Sequence, residues 1–292
     1  MDEMRFDSEP QLHEPCMVAA WPGMGGVAII AARYLVEKLG AREFGSITAE
    51  AFFDVSGVLV ENAVVEDIQF PDNKFYCATD KNGRDWIVFI GEVQPTIDAY
   101  RFASVIMDAA QRFNVSRLFT FAAAPTHIYH TKKPQVLTAA TGQDLIDEMQ
   151  KYDVNLLKEG SISGLNGLLL GVAKQRGIEG ICLLGQIPIY TTNIANPRSS
   201  RTVLEVLSRM TNLDIDFSDI ERWAEETDVQ IEDRIIQLKQ SFGEEAQGLI
   251  EYFEQLAEQT TMEEGHVGYR SEELLKDIER FLKDHGEQRG SH

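Results

Sequence analysis

Positive charge is scarce in this sequence. Its 292 residues hold 27 Lys and Arg against 47 Asp and Glu, a formal net charge of −20. Nucleic acids and anionic membranes recruit proteins through a basic face, so neither is an expected partner. The deficit is uneven: residues 214–292 carry 22 acidic and 8 basic side chains, which leaves only −6 for the first 213. Cysteine is scarce too. Cys16, Cys77 and Cys182 lie far apart in apolar runs, with no C-x-x-C. They read as small buried hydrophobes of a reducing cytoplasm, not as disulfides or metal ligands. Long hydrophobic runs are missing, and none reaches the roughly 18–20 residues of a membrane span. The first fifteen residues are acidic and polar, without the basic and apolar regions of a secretory signal. Internal repeats and low-complexity segments are also absent. A cytoplasmic protein is expected.

What is present is a strand–loop–helix grammar. Cys16 to Trp21 is a short apolar run, followed by Pro22 and the turn Gly23-Met24-Gly25-Gly26. Val27, Ile30, Ala31, Tyr34 and Leu35 then recur at helical spacing. Such a unit opens an α/β fold. Further extended segments are expected at 44–49, 52–60, 75–78, 86–90, 117–124, 135–140 and 179–186. Lys81-Asn82-Gly83 joins two of them as a hairpin. Helices are expected near 96–113, 141–152, 165–176 and 197–210. The first of these has Ile97, Tyr100, Ala103, Met107 and Ala110 on its apolar face.

From Asp216 the character changes. Ser218 reads as a helix cap with Glu221 three residues on. Ile220, Trp223, Ala224, Val229, Ile231, Ile235 and Ile236 form an apolar stripe among charges, and further stripes contain Phe253 and Phe281. The expected organisation is an acidic segment over 1–15, an α/β domain over 16–213 and an acidic helical extension over 214–292. Trp223, Ile235, Phe253 and Phe281 are the candidate partner contacts.

Several polar groups fall where an α/β sheet builds a site. Gly23-x-Gly25-x-x-Ala28 fits a loose dinucleotide fingerprint, but of the nearest acidic residues for the ribose Glu50 comes late and Glu43 precedes the second strand, so no cofactor is expected. His127 and His130 follow a buried strand; two histidines three apart, without a further ligand at suitable spacing, do not make a metal site. Gly160-Ser161-Ile162-Ser163-Gly164 has Ile162 where a nucleophile elbow has its nucleophile. The candidate cleft gathers Gly23, Met24, Gly25, Gly26, Glu92, Thr126, His127, His130, Ser161, Ser163, Gly164, Asn166, Gln186 and Asn196. They yield no nucleophile–base–orienter set, and no catalytic residue is assigned.

The order of these motifs resembles the proteasome assembly chaperone 2-like family. The matching pieces are Trp21-Pro22-Gly23-Met24-Gly25, Ala124-Pro125-Thr126-His127 through His130-Thr131-Lys132-Lys133-Pro134, Gly160-Ser161-Ile162-Ser163-Gly164-Leu165-Asn166, and Gly185-Gln186-Ile187-Pro188-Ile189-Tyr190 followed by Asn196-Pro197. The resemblance implies a three-layer α/β/α sandwich like that of nucleoside phosphorylases. It also implies homo-oligomers, with trimers or their multiples favoured, and for some members the binding of proteasome α-subunits. The chain ends Gly290-Ser291-His292, unlike the hydrophobic–Tyr–any terminus of some archaeal relatives. Two readings follow. The first is a non-catalytic, self-associating scaffold or chaperone-like protein. The second is an enzyme or small-molecule sensor, with Gly23 to Gly26 and Ser161 to Gly164 holding an anion and His127 or His130 as acid–base.

Overall fold

The structure is a computed structural model and describes residues 3–242. The strands are β1 (Met4–Phe6), β2 (Cys16–Ala20), β3 (Arg42–Ile47), β4 (Val60–Glu61), β5 (Val64–Val65), β6 (Asn73–Thr79), β7 (Asp85–Gly91), β8 (Arg117–Thr126), β9 (Val136–Ala140), β10 (Asn155–Leu156) and β11 (Glu179–Pro188). The helices are α1 (Val27–Leu39), α2 (Ala99–Arg112), α3 (Gln143–Met149), α4 (Gly164–Gln175), α5 (Pro197–Thr211) and α6 (Ser218–Phe242). Among the described residues, nine strands form one sheet in the order β1-β3-β6-β7-β2-β8-β11-β9-β10. Its centre, β7-β2-β8-β11, is parallel. Strands β6 and β9 flank that centre antiparallel to their inner neighbours.

Parallel strands need both faces covered, and their sequences are accordingly apolar throughout. Every residue of β2 and of β7 is buried. Helices α1 and α5 cover one face, with Val18, Val88, Phe119 and Leu183 beneath them. Helices α2 and α4 cover the other, over Met17, Ala19, Phe89 and Leu118. The chain is therefore an α/β/α sandwich. No helix among the described residues is long and apolar enough to cross a membrane.

Three sequence expectations shift. Helix α2 begins at Ala99, because the Asp98 carboxylate accepts from the Arg101 amide and caps it there. Its inward face is Phe102, Ala103, Ile106, Met107, Ala109 and Ala110, whereas Ile97 and Tyr100 are exposed. The stretch expected as a strand over 52–60 divides. Phe52 and Phe53 are buried against Phe102. Beyond them the chain leaves the body, and β4 and β5 pair only with each other. At α6, Asp216 does the capping expected of Ser218: its carboxylate accepts from both the amide and the hydroxyl of Ser218.

Helix α6 lies against α5, and farther along reaches the loop after β8 at Glu232; Ile220, Ala224, Thr227, Ile231 and Ile235 along it are buried. Ile235, expected at a partner contact, is therefore turned into its own chain. Trp223, Val229 and Ile236 are exposed. Phe253 and Phe281 lie outside the described residues.

Candidate functional site

The C-terminal ends of β7, β2, β8 and β11 lie side by side, and their loops hold most of the expected site residues. The loop after β2 turns at Gly25 and Gly26, both at φ +62°, a conformation open to glycine without a Cβ penalty. Its backbone is already engaged. The Gly25 amide donates to the Thr192 carbonyl at 2.6 Å, and the Gly26 amide to the Gly23 carbonyl at 3.0 Å. The Gly25 carbonyl accepts from the Asn196 amide at 2.8 Å. The buried Asn196 side chain then donates to the carbonyls of Thr191 (3.0 Å) and Ile194 (2.7 Å) and accepts from the Thr191 hydroxyl (3.1 Å). Of the amides expected to cradle an anion, that of Gly25 is thus spent joining this loop to the one after β11, and that of Gly26 is spent within the turn. Met24, between them, is exposed.

A residue that sequence reasoning passed over makes the second junction. Gln94, in the loop after β7, donates to the Pro22 carbonyl at 3.1 Å and accepts from the Leu165 amide at 2.9 Å. It takes a free amide at the start of α4, where an anion was expected to sit. The one hint in the sequence is a polar residue in the run Gly91 to Pro95 at a strand's end. Ser161, Ser163 and Gly164 are exposed, and Asn166 is buried with no partner for its Oδ1 among the described residues.

The loop after β8 carries the histidines. His130 is buried, with Nδ1 3.0 Å from the Tyr190 hydroxyl and Nε2 3.3 Å from the Glu232 carboxylate of α6. Tyr129 donates to the same carboxylate at 2.7 Å. Beside them Arg198 donates from Nε to Asp228 at 3.0 Å, tying α5 to α6. Burial pushes the His130 pKa below its ordinary value, with Arg198 acting the same way; Asp228 and Glu232 oppose them. The cavity at this point is about 10 Å³, room for one water at most. His127 and Thr126 lie half-buried at the end of β8, and Gln186 accepts from the Gln135 amide at 3.1 Å.

Glu92 is turned elsewhere. Its carboxylate accepts from the Asp72 amide at 2.9 Å, and it lines a groove of about 180 Å³ with Arg33, Lys74 and Tyr76. No other expected site residue reaches that groove. Among the described residues, no group of three His, Cys, Asp or Glu side chains is placed to hold a metal. What the strand ends form is a set of hydrogen-bonded loop junctions.

The model of the PAC2 family matches residues 17–235. The chain belongs to the PAC2 family. The match passes Leu213 and takes in most of α6, the part that packs on α5. This PAC2-family chain is similar to MJ1210 of Methanocaldococcus jannaschii, at 26% identity over 75% of the chain and 81% of that relative. Among solved structures it resembles PbaB of Pyrococcus furiosus, described as an archaeal proteasome activator. The identity is 28% and the TM-score 0.67, over 79% of this chain and 97% of PbaB. Rv2714 of Mycobacterium tuberculosis has the same fold, with a TM-score of 0.71 at 17% identity, over 96% of this chain and 92% of that one.

Proposed function

We propose that this PAC2-family protein is a non-catalytic, self-associating, chaperone-like protein that binds a protein partner, a proteasome subunit being the first to test. One observation carries the reading: at the strand ends, where an α/β enzyme keeps its cleft, the loops are bonded to one another. The Gly25 amide, the Leu165 amide and the Asn196 side chain serve these junctions, and about 10 Å³ is left beside His130. A substrate pocket is typically some 300–1,000 Å³. The likeness to PbaB supports the choice of partner. An enzyme or sensor would have to work with a buried His130 and glycine-turn amides already engaged.

Within this reading, 16–213 is the α/β domain, 214–292 is an extension whose first helix docks in cis, and the self-association is a trimer or a multiple of one. Trp223 remains an exposed contact on that extension. The test mixes the purified full chain with separately purified proteasome α-subunits and with assembled core particles, followed by size-exclusion chromatography with light scattering. Co-elution with either is the expected result. Separate elution from both at micromolar concentration would remove the proteasome from the reading.

A further inference from the structure

Residues 56–70 are exposed without interruption, yet they are not a polar loop. They hold Val58, Leu59, Val60, Val64, Val65, Ile68 and Phe70, each 36–63% exposed. Seven large apolar residues exposed within fifteen positions form a cluster, unlike the single scattered exposures normal on a monomer. The arm's only ladder is β4 against β5, and a lone two-stranded hairpin is marginal in water.

Its two roots are held firmly. The Thr96 and Ile97 amides both donate to the Phe52 carbonyl at 3.0 Å, and the Asp54 amide donates to the Thr96 hydroxyl at 2.9 Å. At the other root, Glu92 and Asp72 exchange two hydrogen bonds of 2.8 and 2.9 Å. The arm thus stands on the segment from Glu92 to Ile97. That base is itself apolar and uncovered: Val93, Ile97 and Tyr100 are all exposed, although the arm is rooted beside them.

We infer that the arm of one copy packs on the Val93–Ile97–Tyr100 base of a second copy. This inference rests on the self-association in the proposed function and names the contact. One molecule carries both halves of an apolar interface, and among the described residues neither half is covered. If both faces of the hairpin and the base were covered, at most about 1,000 Å² per copy would be buried, the scale of the about 800 Å² per partner in a standard interface. Because arm meets base, the contact closes either as a reciprocal pair or head to tail as a ring.

Charge separates a second copy from a basic partner. The arm carries Glu61, Glu66 and Asp67 and no Lys or Arg, on a chain of net −20, while Asp72 at its root is paired with Lys74 at 2.8 Å. Copies therefore associate against their mutual repulsion, and salt strengthens the contact by screening it. Docking to a Lys- or Arg-rich partner would respond in the opposite sense.

The experiment is light scattering of the full chain and of a Val60→Asp, Val64→Asp double variant, at low and high salt. Both positions are exposed, so far-UV circular dichroism and the melting temperature of the monomer should be retained. The wild type should exceed the 32.8 kDa of one chain and gain mass or affinity with salt, while the variant falls to one chain. The milder Val64→Ser should weaken self-association about tenfold. A folded double variant at wild-type mass, or an unshifted Val64→Ser, overturns the arm contact and leaves self-association standing. A wild type of single-chain mass at every concentration overturns both. An assembly that dissociates as salt is added overturns the arm contact in favour of an interface of opposite charges.

Discussion

The backbone of Gly25 and the side chain of Asn196 occupy one space: a Cβ on Gly25 would lie 2.8 Å from Asn196 Nδ2. Gly25 also sits at φ +62°, which a Cβ penalises by about 1–2 kcal/mol before any clash. Gly25→Ala should therefore destabilise the fold by about 2–4 kcal/mol in urea denaturation. Gly23 is the control. Its backbone is extended at φ −161°, and a Cβ there would meet nothing within 4 Å. Gly23→Ala should stay within about 0.5 kcal/mol of wild type. If both variants kept wild-type stability and lost an anion instead, the glycines would belong to a binding loop and not to a loop junction.

Much of this architecture was legible in the sequence, for identifiable reasons. Helix α1 lies between Gly26 and Gly40, both left-handed, and its inward face repeats at the helical period. The β6–β7 hairpin turns at Asn82-Gly83, and β8 and β11 announce themselves as mostly apolar runs, Leu118 to Ala124 and Gly180 to Gly185. What was not legible depended on contacts distant in sequence. Gln94 bonds Pro22 and Leu165, which lie 72 and 71 positions away. Val58-Leu59-Val60 and Val64-Val65 read as apolar runs of a strand, yet all five side chains are exposed, while Phe52 and Phe53 just before them are buried in the body. On α2 the helical spacing places Ala103, Met107 and Ala110 correctly, but Asp98 starts the helix late and leaves Ile97 outside it.

The phase of α6 gives a second test. Ile231 is buried against the body and Val229, two residues earlier, is exposed. Ile231→Ala should cost about 2–4 kcal/mol by creating a cavity, whereas Val229→Ala should cost no more than about 0.5 kcal/mol. Limited proteolysis should report the same asymmetry, with cleavage within α6 accelerated only in the Ile231 variant. Equal effects would mean that α6 is not docked in this register.

The cysteines give a third. All three are free and buried, and burial pushes the Cys182 thiol up to about 12. A thiolate is the reactive species, so the native thiols should resist an aromatic disulfide reagent at neutral pH. Full denaturation should release three equivalents per chain. A cysteine that titrates rapidly in the native protein would show that a strand of the central sheet opens locally, with Cys77, towards the sheet's outer half on β6, the first to identify by peptide mapping.

The last prediction concerns His130. Its folded-state pKa is lowered chiefly by burial, with Arg198 adding to the effect and Asp228 and Glu232 opposing it; Tyr129 and Tyr190 complete the surround. A histidine whose pKa is depressed on folding binds fewer protons when folded than when unfolded. Its neutral form is therefore no burden above the unfolded value of about 6.5, and stability is lost progressively as pH falls below that value towards the lower folded pKa. The urea midpoint should drop between about pH 7 and pH 5.5, and His130→Phe should flatten that part of the profile. Glu232→Gln should steepen it, because the carboxylate 3.3 Å from Nε2 is one of the groups that tolerate the imidazolium. The losses should appear first in α6, because it packs beside the buried His130 and its detachment would let the imidazolium reach water. Hydrogen exchange at two pH values, corrected for intrinsic rates, reads this directly: faster opening of α6 at the lower pH is the expected outcome. A slope that persists unchanged in His130→Phe would place the titrating group elsewhere.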